Sequence, residues 1–285
     1  MDEKHKDDEP AGCPHAAAAH AEAEGNGIDI VRPVIPAPGG VAPVAAENAA
    51  GFKAMADHLY TVAQVEALME PHSPLAQIVH WVRRFLGRPN RDLGRPGPVC
   101  PFVPGAVAQD TVWLTLAEYG PSDRAAIVEA VDRYRNRFLE LEPKQGDLAQ
   151  SKAILIVFPN LSSADAALID QVQFELKSSF VEEGMMLGEF HEQNESPGLR
   201  NPDFRPLRSP IPMLAMRYMV ETDLPFLHRS LYPAPLRAEF IRAYLRRLGS
   251  FVHENNFNAA VESLVQAEIE RRRAGEARQE VPVRG

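Results

Sequence analysis

The residues of this chain best suited to chemistry fall in two stretches. The first is Arg95-Pro96-Gly97-Pro98-Val99-Cys100-Pro101-Phe102-Val103-Pro104-Gly105. Proline fixes its own φ and restricts the residue before it, so Cys100 sits in a stiff, extended turn. A thiolate held that firmly can ligate a haem iron axially, pushing electron density to the metal and favouring O–O cleavage. It can equally act as a nucleophile where a neighbouring Arg or His favours the thiolate. The plain alternative is a small buried hydrophobe closing a rigid turn. The Cys13-Pro14-His15 tripeptide repeats the Cys-Pro pair near the N-terminus, so the dipeptide carries little information by itself.

The second stretch is Glu189-Phe190-His191-Glu192, followed by Arg200, Arg205, Arg208-Ser209-Pro210 and Arg217. An acid and a base at a strand end suit proton transfer or the orientation of a polar substrate. The arginines can grip carboxylates, haem propionates included, through paired hydrogen bonds. The alternative is a solvated loop whose histidine and arginines pair with neighbouring acids. Arg217 differs, because it interrupts the apolar run Met213-Leu214-Ala215-Met216-Arg217-Tyr218-Met219. A charge buried there needs a partner, either a ligand or an internal carboxylate. Met185, Met186, Met213, Met216 and Met219 either line a pocket for a flat apolar group or fill the core.

Other chemistries are excluded by pattern. The chain has no G-x-G-x-x-G or G-K-[ST] phosphate cradle, no H-E-x-x-H, no paired C-x-x-C and no G-x-S-x-G elbow. The formal net charge of -9 over 285 residues argues against nucleic acid as the main partner. No apolar run approaches the ~20 residues needed to span a bilayer. The acidic N-terminus lacks a secretion pattern, and two cysteines cannot build a disulfide scaffold, so a cytoplasmic protein with reduced thiols is expected.

Elements that could position these residues follow from periodicity and caps. Residues 1–50 are rich in Ala, Pro and Gly and read as a disordered, low-complexity tail. Residues 51–275 read as a single α+β domain, and 276–285 as a frayed tail. Thr61 caps a short helix, and Ser73-Pro74 opens a second one carrying Leu75, Ile78, Val79 and Val82 on one side. Strands are expected at 111–118, 153–158, 185–191 and 212–220, with helices at about 123–142 and 165–183 between them. Two further helices, about 235–249 and 254–277, complete the domain. The fold class is therefore α+β: a mixed or antiparallel sheet of about four or more strands, covered by helices on one face, with helical N- and C-terminal flanks. The last helix ends in Arg271-Arg272-Arg273 and packs either on its own domain or on a second subunit in a homodimer.

Residues 75–250 resemble an actinobacterial family of unknown function through Cys100–Val103, the Gly184–Phe190 strand and the Arg208–Arg217 segment. More distantly, the layout resembles the haem-dependent N-oxygenases of the guanitoxin N-hydroxylase type. There, an early Phe-Pro-Cys-like turn precedes a strand, a helix and a late arginine-bearing strand. Pro98-Val99-Cys100-Pro101 stands in the place of that turn. This resemblance implies haem as cofactor, with Cys100 as the proximal thiolate. It also implies Arg95, Arg208 or Arg217 on a propionate, and oxygen activation on the opposite face. His191 or Glu189 would then be the distal proton donor. The expected activity is oxygenation of a small nitrogenous or amino-acid-derived metabolite. The rivals are a non-catalytic protein holding a small carboxylate through Arg217 and Arg208, and an enzyme whose Cys100 nucleophile is activated by His191.

Overall fold

The structure, a computed structural model, describes residues 57–279, with side chains described through Ala274. The low-complexity tail expected over residues 1–50 lies outside the described residues, as do residues 280–285. The chain enters through a two-residue strand, β1 (Tyr60–Thr61), and α1 (Val62–Leu68). Thr61 and Gln64 cap each other's backbone N–H groups in a capping box at the start of α1. Ser73 caps α2 (Pro74–Trp81), whose first residue is a proline with no N–H to leave unpaired. A π-turn over Val82–Leu86 extends it. After an irregular stretch come α3 (Val103–Ala108), β2 (Val112–Leu116), α4 (Arg124–Glu140) and the short α5 (Asp147–Gln150). Then follow β3 (Ala153–Val157), α6 (Ala166–Glu182), β4 (Met185–Phe190) and β5 (Met213–Tyr218). The chain closes with α7 (Leu224–Leu227), α8 (Ala234–Leu248) and α9 (Glu254–Gln279). Among the described residues, no helix is long and apolar enough to cross a membrane.

The strands form one mixed sheet in the order β1-β2-β3-β5-β4. The β2–β3 pair is parallel, because α4 carries the chain from the end of one to the start of the other. The β3–β5 and β5–β4 pairs are antiparallel. The fold class is thus α+β, with β3 central and buried, as its continuous apolar run Ala153–Val157 requires.

Helices lie on both faces of the sheet, not on one as periodicity suggested. One core joins α4 and α6 to Ile154, Ile156, Leu214, Met216, Tyr218, Met185 and Leu187. A second core joins α1, α2 and α3 to Leu114, Leu116, Leu155, Val157 and Met213, the residues of alternate parity. This second cover stops short. Met186, Gly188, Phe190, Ala215 and Arg217 on the same face of β4 and β5 remain half-buried.

One buried charge ties the first core together. Lys152, fully buried at the entry to β3, donates from Nζ to the carbonyls of Phe138 (2.8 Å) and Leu141 (2.7 Å). These are carbonyls at the C-terminal end of α4, which an α-helix cannot satisfy by itself. Burial pushes the ammonium down to about 8.

Candidate functional site

Cys100 is half-buried, and its turn is locked from three sides. Its own N–H donates to the Leu86 carbonyl (2.9 Å), and the Val99 N–H donates to Arg88 (2.9 Å). Pro89 and Pro98 form an isolated antiparallel bridge. The Arg95 guanidinium donates from Nη2 to the Val99 carbonyl (3.1 Å) and from Nη1 to Pro96 (3.0 Å). The stiffness expected from the prolines is thus reinforced by anchoring to the π-turn that ends α2. Arg95 thus directs two of its donors to its own turn.

Arg217 has found an internal carboxylate. Its Nη1 and Nη2 donate to Asp223 Oδ2 and Oδ1, both at 2.7 Å, and Nη1 also reaches the Tyr218 carbonyl (2.9 Å). Asp223 is 1% exposed, whereas the Arg217 side chain keeps 31% of its surface open. Strand alternation turns Arg217 toward the half-covered face, with Met213 and Ala215. There the Phe102 ring lies 5.9 Å from its guanidinium carbon. Desolvation works against the Arg217 charge, yet the attractions of Asp223 and Cys100 prevail and raise its pKa. Arg217 therefore shares one neighbourhood with Cys100 and Phe102, which lie far upstream in the chain.

The remaining candidates lie elsewhere. Glu189 and His191 follow the parity of Met185 and Leu187, so they face α6 across the sheet from Cys100. His191, 3% exposed, bonds through Nε2 to Asp170 of α6 at 2.9 Å, while its Nδ1 is buried without a partner. Both line a cavity of about 1040 Å³ bounded by α6, the 193–196 loop and the 229–232 turn. Arg208 is tied to two residues that line this cavity. It donates to the Asn194 carbonyl (3.1 Å) and pairs with Glu195, which Arg205 also holds at 3.0 Å. The expected set thus divides in two. Cys100 and Arg217 stand on one face, and Glu189, His191 and Arg208 stand around the other. A hydrogen-bonded Cys100–His191 couple and a distal role for Glu189 or His191 above Cys100 both lose their geometric basis.

Several residues of these sites carried no motif. Asp223 answers the need of Arg217 from six residues downstream, beyond the strand end. Asp170 of α6 lines this cavity with Glu189, and Lys177, buried further along α6, lies close enough to attract Glu189. Lys177 donates to Tyr232 Oη (2.7 Å) and the Phe226 carbonyl (3.3 Å), and burial pushes its ammonium down to about 8.

A haem on the Cys100 side would need a donor, a flat floor and a cation. The donor is one thiol in a backbone-locked turn, while the described residues hold no group of three His, Cys, Asp or Glu that could bind a bare metal ion. The floor beside it is made of small residues, Gly188 opposite Ala215, and a Cβ at Gly188 would stand 3.3 Å from Phe190 Cε2. Arg217 opposite Met186 bounds this floor at one end and Met213 opposite Phe190 at the other. Four residues of strand separate those rows, roughly 13 Å, with the Phe190 ring lying over Gly188 between them. Aromatic rings border it: Trp81 meets Phe190 edge-on (5.8 Å) and stacks on Phe85 (5.7 Å). Of Arg95, Arg208 and Arg217, the last flanks this floor, with its Nη1 and Nη2 bonded to Asp223.

Fold and site together define an α+β domain with a thiol-and-guanidinium face on one side of its sheet and a polar cavity on the other. Residues 75–259 match the family described as a domain of unknown function, DUF6875, and the chain belongs to that family. The matched region runs from α2 into α9 and includes both faces. No curated protein and no solved structure matches the chain.

Proposed function

We propose that this protein is a haem-thiolate oxygenase acting on a small nitrogenous or amino-acid-derived metabolite. The observation that carries this reading is the approach of the Cys100 turn to Arg217 on the half-covered face of β4 and β5, where the Phe102 ring lies 5.9 Å from the guanidinium carbon. The resemblance of the Cys100 turn to that of the guanitoxin-type N-oxygenases supports it. Cys100 would ligate the iron and the exposed part of the Arg217 guanidinium would face a propionate, with Phe102 and Trp81 shielding the apolar rim. When bound, the haem supplies oxygen activation. The chain's own contribution is positional. Arg95 and the Leu86 carbonyl fix the thiol, and Asp223 fixes the guanidinium and keeps it charged. The rival reading, a carboxylate held jointly by Arg217 and Arg208, is less favoured because Arg208 stands on the other side of the sheet, paired with Glu195.

The reading places the protein in the cytoplasm with a reduced Cys100. It also includes a homodimer built on α9. Phe257, Val261, Val265 and Ile269, spaced four apart along that helix, are all exposed. An antiparallel pairing of two α9 helices about a two-fold axis would set Phe257 against Ile269 and Val261 against Val265. The same pairing brings exposed Glu254 against exposed Arg272, a complementary charge pair at each end.

The test is an absorption spectrum of the full chain, expressed with haem precursor, before and after dithionite and carbon monoxide. A stoichiometric Soret band with the red-shifted ferrous carbonyl of thiolate ligation, lost in Cys100→Ala, is expected. A flat spectrum after haem loading would sink the oxygenase reading.

A further inference from the structure

The cavity across the sheet from Cys100 is unused by the proposed chemistry, and its walls are sorted by charge. Glu175 is neutralised by Arg124, and Glu195 by Arg205 and Arg208. What remains facing the space is two carboxylates, Asp170 and Glu189, and one guanidinium, Arg229. Glu189 sits beneath them on β4, where burial and the nearby Asp170 carboxylate raise its pKa against the opposing pull of Lys177 and Arg229. Asp170 keeps half of its side chain open, its Oδ1 engaged by His191.

The mouth is apolar. Phe174 and Leu231 are 58% and 59% exposed, and Phe174 stacks on Tyr232 with ring centroids 6.2 Å apart and planes 21° from parallel. Large apolar groups exposed beside a charged cleft are a mark of a ligand surface.

We propose that this cavity binds a small zwitterion of the amino-acid class. Its ammonium lies between Glu189 and Asp170, its carboxylate on Arg229, and its side chain against Phe174 and Leu231. An ammonium offers three donors, which two carboxylates can share, and a planar guanidinium matches a carboxylate in geometry. A ligand carrying a single charge would leave one wall unpaired in a partly desolvated space, which is costly. The two ligand regions lie back to back on β4: Gly188 and Phe190 floor the thiol side, while Glu189 and His191 line this one. The site needs no haem, so its success or failure is separate from that of the oxygenase reading.

The experiment is titration calorimetry of the haem-free full chain with a panel of proteinogenic amino acids, L-phenylalanine first. Phenethylamine and 3-phenylpropionate serve as single-charge controls. A saturating isotherm is expected for at least one amino acid, with either control weaker by about tenfold or more. Glu189→Gln and Arg229→Gln should each lose about tenfold for the amino acid. Arg229→Gln should leave phenethylamine binding unchanged, which a mere folding defect would not do. Cys100→Ser should bind as the parent does. The proposal is overturned if no amino acid binds, if the controls bind equally well, or if both variants retain affinity. Arg229 is half-buried and its loss leaves the core intact, so folding does not confound that arm.

Discussion

Arg217 and Asp223 face each other through two parallel hydrogen bonds of 2.7 Å, with one partner sealed from water and the other a third open. Asp223 also accepts the Val220 N–H at 2.8 Å, so it fixes both the guanidinium and the chain leaving β5. Asp223→Asn strips the guanidinium of its counter-charge. A fully buried pair broken on one side costs ~3–5 kcal/mol, and the partial exposure of Arg217 reduces this to about 2 kcal/mol. Urea denaturation measures it. Haem retention should fall in the same variant, because Arg217 is no longer held in place.

Gly188→Val tests the floor of the thiol face. The new side chain would meet the Phe190 ring, whose edge lies 3.3 Å from the position of the added Cβ, and fill the space opposite Ala215. Haem uptake should drop by about tenfold or more, while stability changes by less than about 2 kcal/mol because Phe190 can yield. Spectroscopic haem titration beside thermal melting reports the two separately.

Stability should depend on pH in a direction set by two lysines. Burial lowers Lys152 and Lys177 to about 8, from 10.5 in the unfolded chain. Between those values the unfolded state binds more protons than the folded one, so stability rises with pH across the window. Above about pH 10 the sign reverses, because desolvation raises Tyr134, Tyr232 and Tyr244, the last to about 12, and the unfolded phenols ionise first. A gain on the order of 2 kcal/mol from pH 7.5 to 9.5 is expected in urea melts. Lys152→Met should flatten much of this rise. It should also cost about 1–3 kcal/mol by leaving the Phe138 and Leu141 carbonyls unsatisfied.

Val265→Glu tests the α9 pairing. Val265 is 52% exposed in the single chain, so its replacement leaves the domain intact, while two glutamates would meet near the proposed two-fold axis. Sedimentation velocity should show a dimer for the parent chain and a monomer for the variant.

Local signals in the sequence were strong where a single residue type enforces a geometry. The capping box at Thr61, the Ser73-Pro74 start and the apolar run of β3 all stand where periodicity placed them. Two-residue β1 is too short to carry a pattern, and α3 hides behind Pro104 and Gly105, both poor helix formers inside its first turns. That α1 and α2 cover the second face was missed because an apolar stripe on α2 says what must be buried, not against which side. The site shows the same limit. That Arg217 needs a partner was legible from its apolar neighbours; that Asp223 supplies it depends on a turn beyond the strand. Phe190 and His191 are adjacent in sequence, yet strand alternation sends them to opposite faces. Only the tertiary placement of α6 and of the Cys100 turn reveals that the two expected constellations are separate.

β4 ends the sheet, and its outermost carbonyls have takers. The Leu187 carbonyl accepts from Gln173 Nε2 at 2.9 Å, and the Glu189 carbonyl, two residues on and on the same edge, accepts from Asn194 Nδ2 at 3.3 Å. A strand edge with open acceptors is a template on which a second chain can add itself and begin a fibril. Here two side-chain amides occupy the places such a strand would bond to. The domain is guarded against edge-to-edge polymerisation by the same helix and loop that wall its cavity.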